Sequence, residues 1–396
     1  MKKKNFEILI CGSGMIGMTF ALMMAQKRIK VCLIDKNSYN SFKEKKDSRT
    51  TAISQGSSRI FNRLSLWQDL ERQSQPIYKI LVGDGINNEN LIFDHDKLKE
   101  GPLGYIIDNS FFKRRLFEEV VSSKFIRFYS NTEIKEINND DLDNSFVDTN
   151  KGKIGFKLLV AADGRFSKTR FHANIKYRFH DYKQNAFVFN ISHQKSHKGI
   201  ALERFFSTGP MAILPMKTRN SNHSSVVWTV ESKISDSENF RKNFRDEFIR
   251  KYSNFFGKID SLSSVKEYPL NVFSCNEFSN KNVVLIGDAC QAIHPIAGQG
   301  FNLGLRDAKC LSNLIYEFYE LGIEPFNNAL LKLYEKNRFI DKNILVGATH
   351  YLNKLFSNTN RVSQSFRRLG LQLFSKSDFF KNQSMIFAMG LKNPEI

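Results

Sequence analysis

The chain has 396 residues, 41% of them hydrophobic and 25% charged, and carries a formal net charge of +19. That length exceeds what a single core of about 250–300 residues supports, so two domains are expected, and the composition excludes a disordered chain and a multi-span membrane protein. Five scattered cysteines with no CxxC pair exclude a disulfide framework and a zinc site, and they fit a reducing cytosol.

The first element is an uncharged run over residues 8–25 behind a basic start. Glycines at 12, 14 and 17 interrupt it, no small-residue cleavage site closes it, and a second apolar stretch ending in Asp35 follows at once. It therefore reads as strand, turn, helix and strand rather than as a signal peptide or a membrane span. A helix is predicted over 50–72, where Ile60, Leu64 and Trp67 share a face. Residues 79–95 alternate around polar turns and predict a hairpin; another helix follows Asn109, with Phe112, Leu116 and Val120 four apart. Strands recur through 125–160. From about 175 to 270 the pattern changes to short alternating segments, which predict a sheet inserted into the α/β pattern. A buried parallel-type strand returns at 283–286, followed by a glycine-rich turn, a helix over about 299–320 and a helical remainder over 325–390.

Chemistry enters at Gly12-Ser13-Gly14-Met15-Ile16-Gly17, between the first strand and the first helix. The first glycine permits the tight turn, the second lets a pyrophosphate approach the backbone, and the third allows close helix–strand packing beneath a positive helix N-terminus. Asp35 closes the second strand, 18 residues past Gly17, where a carboxylate accepts hydrogen bonds from a ribose diol and repels a 2′-phosphate. FAD or NAD is expected here, and NADP is not. The second glycine-rich stretch decides for FAD. Gly287-Asp288 ends a strand, and His294-Pro295-Ile296-Ala297-Gly298-Gln299-Gly300-Phe301-Asn302 opens a helix whose amides can stabilise charge on a reduced isoalloxazine.

The stretch GDACQAIHPIAGQGFNLGLRDA resembles the signature of the ubiquinone-biosynthesis hydroxylases, a branch of the class A flavoprotein monooxygenases. Other landmarks follow in the family's order. Residues 47–54 resemble the segment whose arginine reaches FAD, and 162–170 resemble the internal Asp-Gly motif, linked to FAD and nicotinamide contacts. Residues 203–205 and 209–215 resemble the substrate-domain strands, and 387–391 also resemble the family's C-terminal stretch, so the resemblance spans nearly the whole chain. It implies a p-hydroxybenzoate hydroxylase-like fold: a Rossmann-like α/β FAD-binding domain with an inserted β-sheet substrate domain and a helical C-terminal segment. The boundaries read as 1–78, 100–174 and 271–340 for the discontinuous FAD-binding domain, 79–99 and 175–270 for the substrate domain, and 341–396 for the C-terminal segment.

Carried over residue by residue, the resemblance places Gly12, Gly14, Gly17, Asp35, Arg49, Arg114, Asp163, Asp288, Gly298, Gln299, Gly300, Phe301 and Asn302 at FAD. Arg115 takes the place of Arg114 under a one-residue shift. Gln291 stands where many relatives have histidine and marks a subtype. The implied cycle has NADH or NADPH reduce FAD and O₂ add at flavin C4a, after which the hydroperoxide passes one oxygen to an electron-rich phenol. No HExxH, GxSxG or second dinucleotide fingerprint is present, so NAD(P)H is expected to bind only transiently and no metal is expected. Two residues are candidates for a catalytic role, His294 and Arg204. His294 is read as capping its strand more readily than as an acid–base group, and Arg204 either faces substrate or pairs with a carboxylate.

The implied substrate is a polyprenylated phenol or quinone precursor, which lives in the bilayer. Residues 338–396 carry nine basic residues (338, 342, 354, 361, 367, 368, 376, 381, 392) against three acidic ones, which suits a peripheral site on the inner face of the cytoplasmic membrane. A complex with other quinone-biosynthesis enzymes is also implied. The overall basic excess is spread along the chain and reads first as biased residue usage, and a nucleic-acid partner is not expected. The rival readings are a hydroxylase of a small soluble aromatic acid and a non-catalytic flavin or nucleic-acid binding protein.

Overall fold

The computed structural model describes residues 4–42, 44, 47–85, 90–206, 208–294, 298–357 and 377–391. The apolar start folds as β1 (Lys4–Cys11), a glycine turn, α1 (Met15–Gln26) and β2 (Val31–Ile34). Residues 17–25 of α1 are all buried, because the helix is apolar on every side and lies between the sheet and two later helices. Burying each of its Leu, Met and Phe side chains contributes about 1.5–3 kcal/mol.

The expected helix over 50–72 is corrected. Residues 50–54 form β3 (Thr50–Ser54), and only then follow α2 (Gln55–Arg63) and α3 (Trp67–Arg72). The β-branched Thr50, Thr51 and Ile53 pair with a later strand, Ser54 caps α2 by accepting from Ser57 N, and Ser65 breaks the helix at φ 60°.

Next come β4 (Gln75–Ile77), β5 (Lys79–Asp84), β6 (Asn90–Asp94), β7 (Gly104–Asp108) and α4 (Asn109–Ser122), the last capped by Asp108 through Phe111 N. Then follow β8 (Ile126–Tyr129), β9 (Ile134–Asn138), β10 (Phe146–Thr149), β11 (Gly152–Ala161) and the short α5 (Lys168–His172). The alternating region gives β12 (Tyr177–His193), β13 (Ile200–Phe206), β14 (Gly209–Met216), β15 (His223–Glu231), α6 (Ser232–Ser235), α7 (Glu238–Phe256), β16 (Ile259–Leu262) and β17 (Lys266–Cys275). The chain continues with β18 (Ser279–Asn280), β19 (Val283–Leu285), β20 (Gln291–Ala292), α8 (Gln299–Glu320), α9 (Asn328–Ser357) and α10 (Asp378–Ala388).

These strands form three sheets. The eight-stranded sheet has the order β18-β19-β11-β1-β2-β8, with β10 and β9 added through β11. Within it β19, β11, β1, β2 and β8 are parallel, so their C-terminal ends share one edge. The nine-stranded sheet has the order β20-β17-β12-β15-β14-β13-β5-β6, with β16 on β12; the three-stranded one is β3-β7-β4. In the nine-stranded sheet, alternate residues face opposite ways. Leu202, Ile213, Val226 and Trp228 pack with Phe240 and Phe248 of α7, whereas Ala201 packs with Ile106 of β7 and with Met385 and Met389 at the end of the chain. Among the described residues no helix is long and apolar enough to cross a membrane.

Candidate cofactor and substrate site

The parallel strand ends are where an open α/β sheet takes a ligand, and the sequence places its polar turns there. Gly12 sits at φ +102°, and a Cβ on it would meet Ala162 O at 2.5 Å; a Cβ on Gly17 would lie 1.9 Å from Gly12 O. Gly14 differs: a Cβ there would meet nothing within 4 Å. No side chain caps α1, so its first amides are open to an anion at the same spot. Asp35 is buried, one oxygen accepting from Ser13 N at 2.6 Å and Ser13 Oγ at 2.8 Å and the other from Asn37 N at 2.8 Å. It thus ties the glycine turn to the end of β2.

Asp163, at the end of β11, accepts from Ser167 Oγ, from Thr169 N at 3.1 Å and from Thr169 Oγ1 at 2.9 Å. The Asp-Gly motif is thereby anchored on the first turn of α5. Arg170 of that helix is buried, donates to Ala289 O at 2.8 Å and to Arg165 O at 3.0 Å, and lies 4.6 Å over both the Tyr177 and Phe273 rings. It links the end of β11 to the Gly287-Asp288 turn.

Asp288 is exposed directly after Gly287, with Arg165 and Arg49 near enough to favour its charged form. Arg49 forms a two-pronged ion pair with Asp47 at 2.8 Å on each prong. Burial raises the Asp47 pKa, but Arg49 and Lys113 outweigh it and hold the carboxyl well below the usual range. The Arg49 guanidinium also lies 5.7 Å from the Tyr268 ring of β17, and Asn190 of β12 donates to Ser48 O at 3.0 Å. The nine-stranded sheet therefore turns the face carrying Asn190 and Tyr268 toward the strand-end cleft.

The two arginines of α4 separate clearly. Arg115 is committed to Asp69 and Glu119, at 3.0 and 2.7 Å, whereas Arg114 is exposed and has no ion pair among the described residues. Arg114 is the one left able to meet a phosphate.

In the second glycine-rich stretch, residues 295–297 lie outside the described residues. Gly298 precedes α8 at φ +60°, and no side chain caps the helix, so its amides too are open to an anion. A Cβ on Gly300 would have Ile293 no nearer than 3.8 Å. Asn302 is spent on β3, accepting from Ser54 N at 2.9 Å and donating to Ala52 O at 3.0 Å. Gln299 donates to Ala388 O at 3.4 Å, and Phe301 packs edge-on against Phe112. These three side chains hold the start of α8 against its neighbours.

His294 is buried, hydrogen-bonded through Nε2 to Gln184 Oε1 at 3.2 Å and packed edge-on against Tyr182. Burial lowers its pKa to about 4, which keeps it neutral at pH 7. Arg204 is 1% exposed and lies 4.5 Å over Phe255 of α7, on the side of the sheet turned away from the cleft.

Two residues that support the site, Asp307 within the quoted signature and Arg338 counted with the basic tail, carry no sign of that role in the sequence. Asp307 of α8 is fully buried, accepts from Gly287 N at 3.1 Å and Gln291 Nε2 at 3.2 Å, and pairs with buried Arg338 of α9 at 2.7 Å. This pair holds the turn before Asp288. The basic tail is corrected in part: Arg338 and Lys342 are buried and bonded internally, and Lys381 pairs with Asp378. Lys354, Arg361, Arg367, Arg368, Lys376 and Lys392 lie outside the side chains the structure describes.

Comparison with known proteins gives one direction. The profile of a family described as "FAD binding domain" matches residues 5–339. A ubiquinone hydroxylase, UbiL, of Rhodospirillum rubrum is 32% identical, over 98% of this chain and 90% of that protein. The 3-demethoxyubiquinol 3-hydroxylase of Escherichia coli is 26% identical over 99% of this chain and all of its own length (100%). Among solved structures, p-nitrophenol 4-monooxygenase PnpA from Pseudomonas putida superposes with a TM-score of 0.80 over 97% of each chain, at 16% identity.

Proposed function

Because the chain belongs to the FAD-dependent hydroxylases of ubiquinone biosynthesis, we propose that it hydroxylates the aromatic ring of a polyprenyl phenol at the membrane surface. The enzyme is an FAD monooxygenase that consumes NAD(P)H and O₂. Bound FAD supplies electron transfer from NAD(P)H and activation of oxygen. The protein's share is position, dryness and charge.

The residues present fit the group. The open space at Gly14 and the uncapped N-terminus of α1 would suit the pyrophosphate, Arg114, which has no ion pair among the described residues, would add a positive charge, and Asp35 would meet the ribose. Asp288 would meet the ribityl or pyrophosphate region. The start of α8 would pass beneath the isoalloxazine, its amides favouring negative charge there. Asp163 would act through α5, holding the motif in place rather than reaching the ligand.

The observation that carries the reading is Arg49, which senses Asp288 on one side and lies over Tyr268 of the nine-stranded sheet on the other. One side chain thus spans the cofactor cleft and the sheet that would cover the substrate. An apolar prenyl tail buries about 0.8 kcal/mol per CH₂, so the substrate stays in the bilayer and the enzyme comes to it. The charge of +19 favours an anionic surface.

The test offers the FAD-loaded protein a prenylphenol in anionic vesicles and, separately, a hydroxybenzoate in buffer, with NAD(P)H and air. Substrate-stimulated NAD(P)H oxidation with a product heavier by one oxygen is expected from the prenylphenol alone. Turnover of the benzoate alone would overturn the substrate class.

A further inference from the structure

Glu203 is a carboxylic acid where the fold has no evident use for one. It lies on β13, flanked in register by Ala212 of β14 and Val82 of β5. Its neighbours in the strand fix its direction. Leu202 packs on the α7 side and Arg204 lies over Phe255, so Glu203, one residue out of phase with both, shares the opposite face with Ala201. The register carries that face across the sheet. Ala212 stands opposite Val227 of β15, Val227 opposite Val188 of β12, and Asn190 and Tyr268 lie on the same side. These last two touch the loop at Ser48 and Arg49. Glu203 therefore lies on the same face of the sheet that Asn190 and Tyr268 turn toward the cleft.

Only 9% of the residue is exposed, and its carboxyl makes no hydrogen bond or ion pair among the described residues. An unpartnered buried carboxyl is costly, and leucine at this position would avoid the cost. Burial pushes the Glu203 pKa up to about 8, so at pH 7 it is a neutral acid that both donates and accepts a hydrogen bond. Arg204, the adjacent cation, is turned to the far side, so an anionic ligand would find no counter-charge from it. A neutral ring hydroxyl is the group such a site suits.

We infer that Glu203 hydrogen-bonds the ring hydroxyl of the phenolic substrate and so fixes the orientation of the ring in the cleft. The inference rests on the proposed function and narrows its substrate to an uncharged phenol gripped at oxygen.

The experiment compares wild type with Glu203→Leu and Glu203→Gln, all loaded with FAD. The probes are a short-chain 2-prenylphenol and its methyl ether, titrated by the change in flavin absorbance and then followed for product. Wild type should bind the phenol roughly tenfold tighter than the ether. Glu203→Leu should bind the two alike and couple NAD(P)H oxidation to product poorly, while Glu203→Gln keeps part of the preference. Glu203→Leu should also retain FAD and melt no lower than wild type, which separates a lost contact from a lost fold. A Glu203→Leu enzyme that still prefers the phenol tenfold would overturn the inference and leave the function intact. A wild type that hydroxylates no prenylphenol would instead overturn the functional reading beneath it.

Discussion

Three glycines of the first turn face different surroundings, and substitution should tell them apart. A Cβ at Gly17 would collide with Gly12 O, so Gly17→Ala is expected to cost about 3 kcal/mol in a urea melt, whether or not FAD is present. Gly14 faces open space, so Gly14→Ala should fold with a melt within about 0.5 kcal/mol of wild type yet lose at least tenfold in FAD affinity. Equal loss of stability in both would contradict the assignment of that space to the cofactor. His294 gives a pH test. Its folded pKa is depressed to about 4, so the unfolded chain, titrating near 6.5, binds the proton first as pH falls. Stability is complete above about 6.5 and declines toward 4. Between pH 7 and 5 this residue should account for about 2 kcal/mol, and His294→Asn should flatten that part of the urea-melt profile. An unchanged profile would show that His294 is not buried as a neutral ring. The glycine pattern and Asp35 were legible because their spacing is local. The direction of Glu203 and Arg204 was not, since both faces of β13 are buried and adjacent residues differ only by register.

Among the elements, α8 and α9 do more than flank the sheet. Asp307 and Arg338 are each 1% exposed and pair across the two helices, and Asp307 also holds Gly287 at the entrance to the Asp288 turn. Arg338→Met would leave a buried carboxylate without its cation, which costs about 3–5 kcal/mol. The same variant should release FAD faster, because the turn that presents Asp288 loses its support; urea melts and the rate of flavin release check both effects. A variant of unchanged stability that holds FAD as wild type does would contradict the role of the pair. Nothing in the sequence marks two residues 31 positions apart on different helices as partners. The helix expected over 50–54 gives way for a related reason: the helical spacing belongs to Ile60, Leu64 and Trp67, whereas pairing with β7 makes 50–54 a strand.

At the scale of the molecule, alternating strand and helix patterns at both ends of the chain indicated the parallel sheet, and the change to short alternating segments indicated the second sheet. Less legible was how the two meet. The contacts of Ser48 and Arg49 with β12 and β17 join residues more than 140 positions apart, and they decide which face of the nine-stranded sheet looks at the cleft. The net charge was ambiguous in the sequence, and two of the nine basic residues assigned to the tail prove to be buried supports of the fold. The central claim, an FAD-dependent hydroxylase acting on a prenylated ring, is tested most directly by turnover under ¹⁸O₂. The FAD-loaded enzyme, supplied with NAD(P)H and a prenylphenol in anionic vesicles, should release a product carrying one ¹⁸O atom on the ring, and none in unlabelled O₂ with labelled water. NAD(P)H oxidation with no label in the organic product, or label arriving only from water, would contradict it.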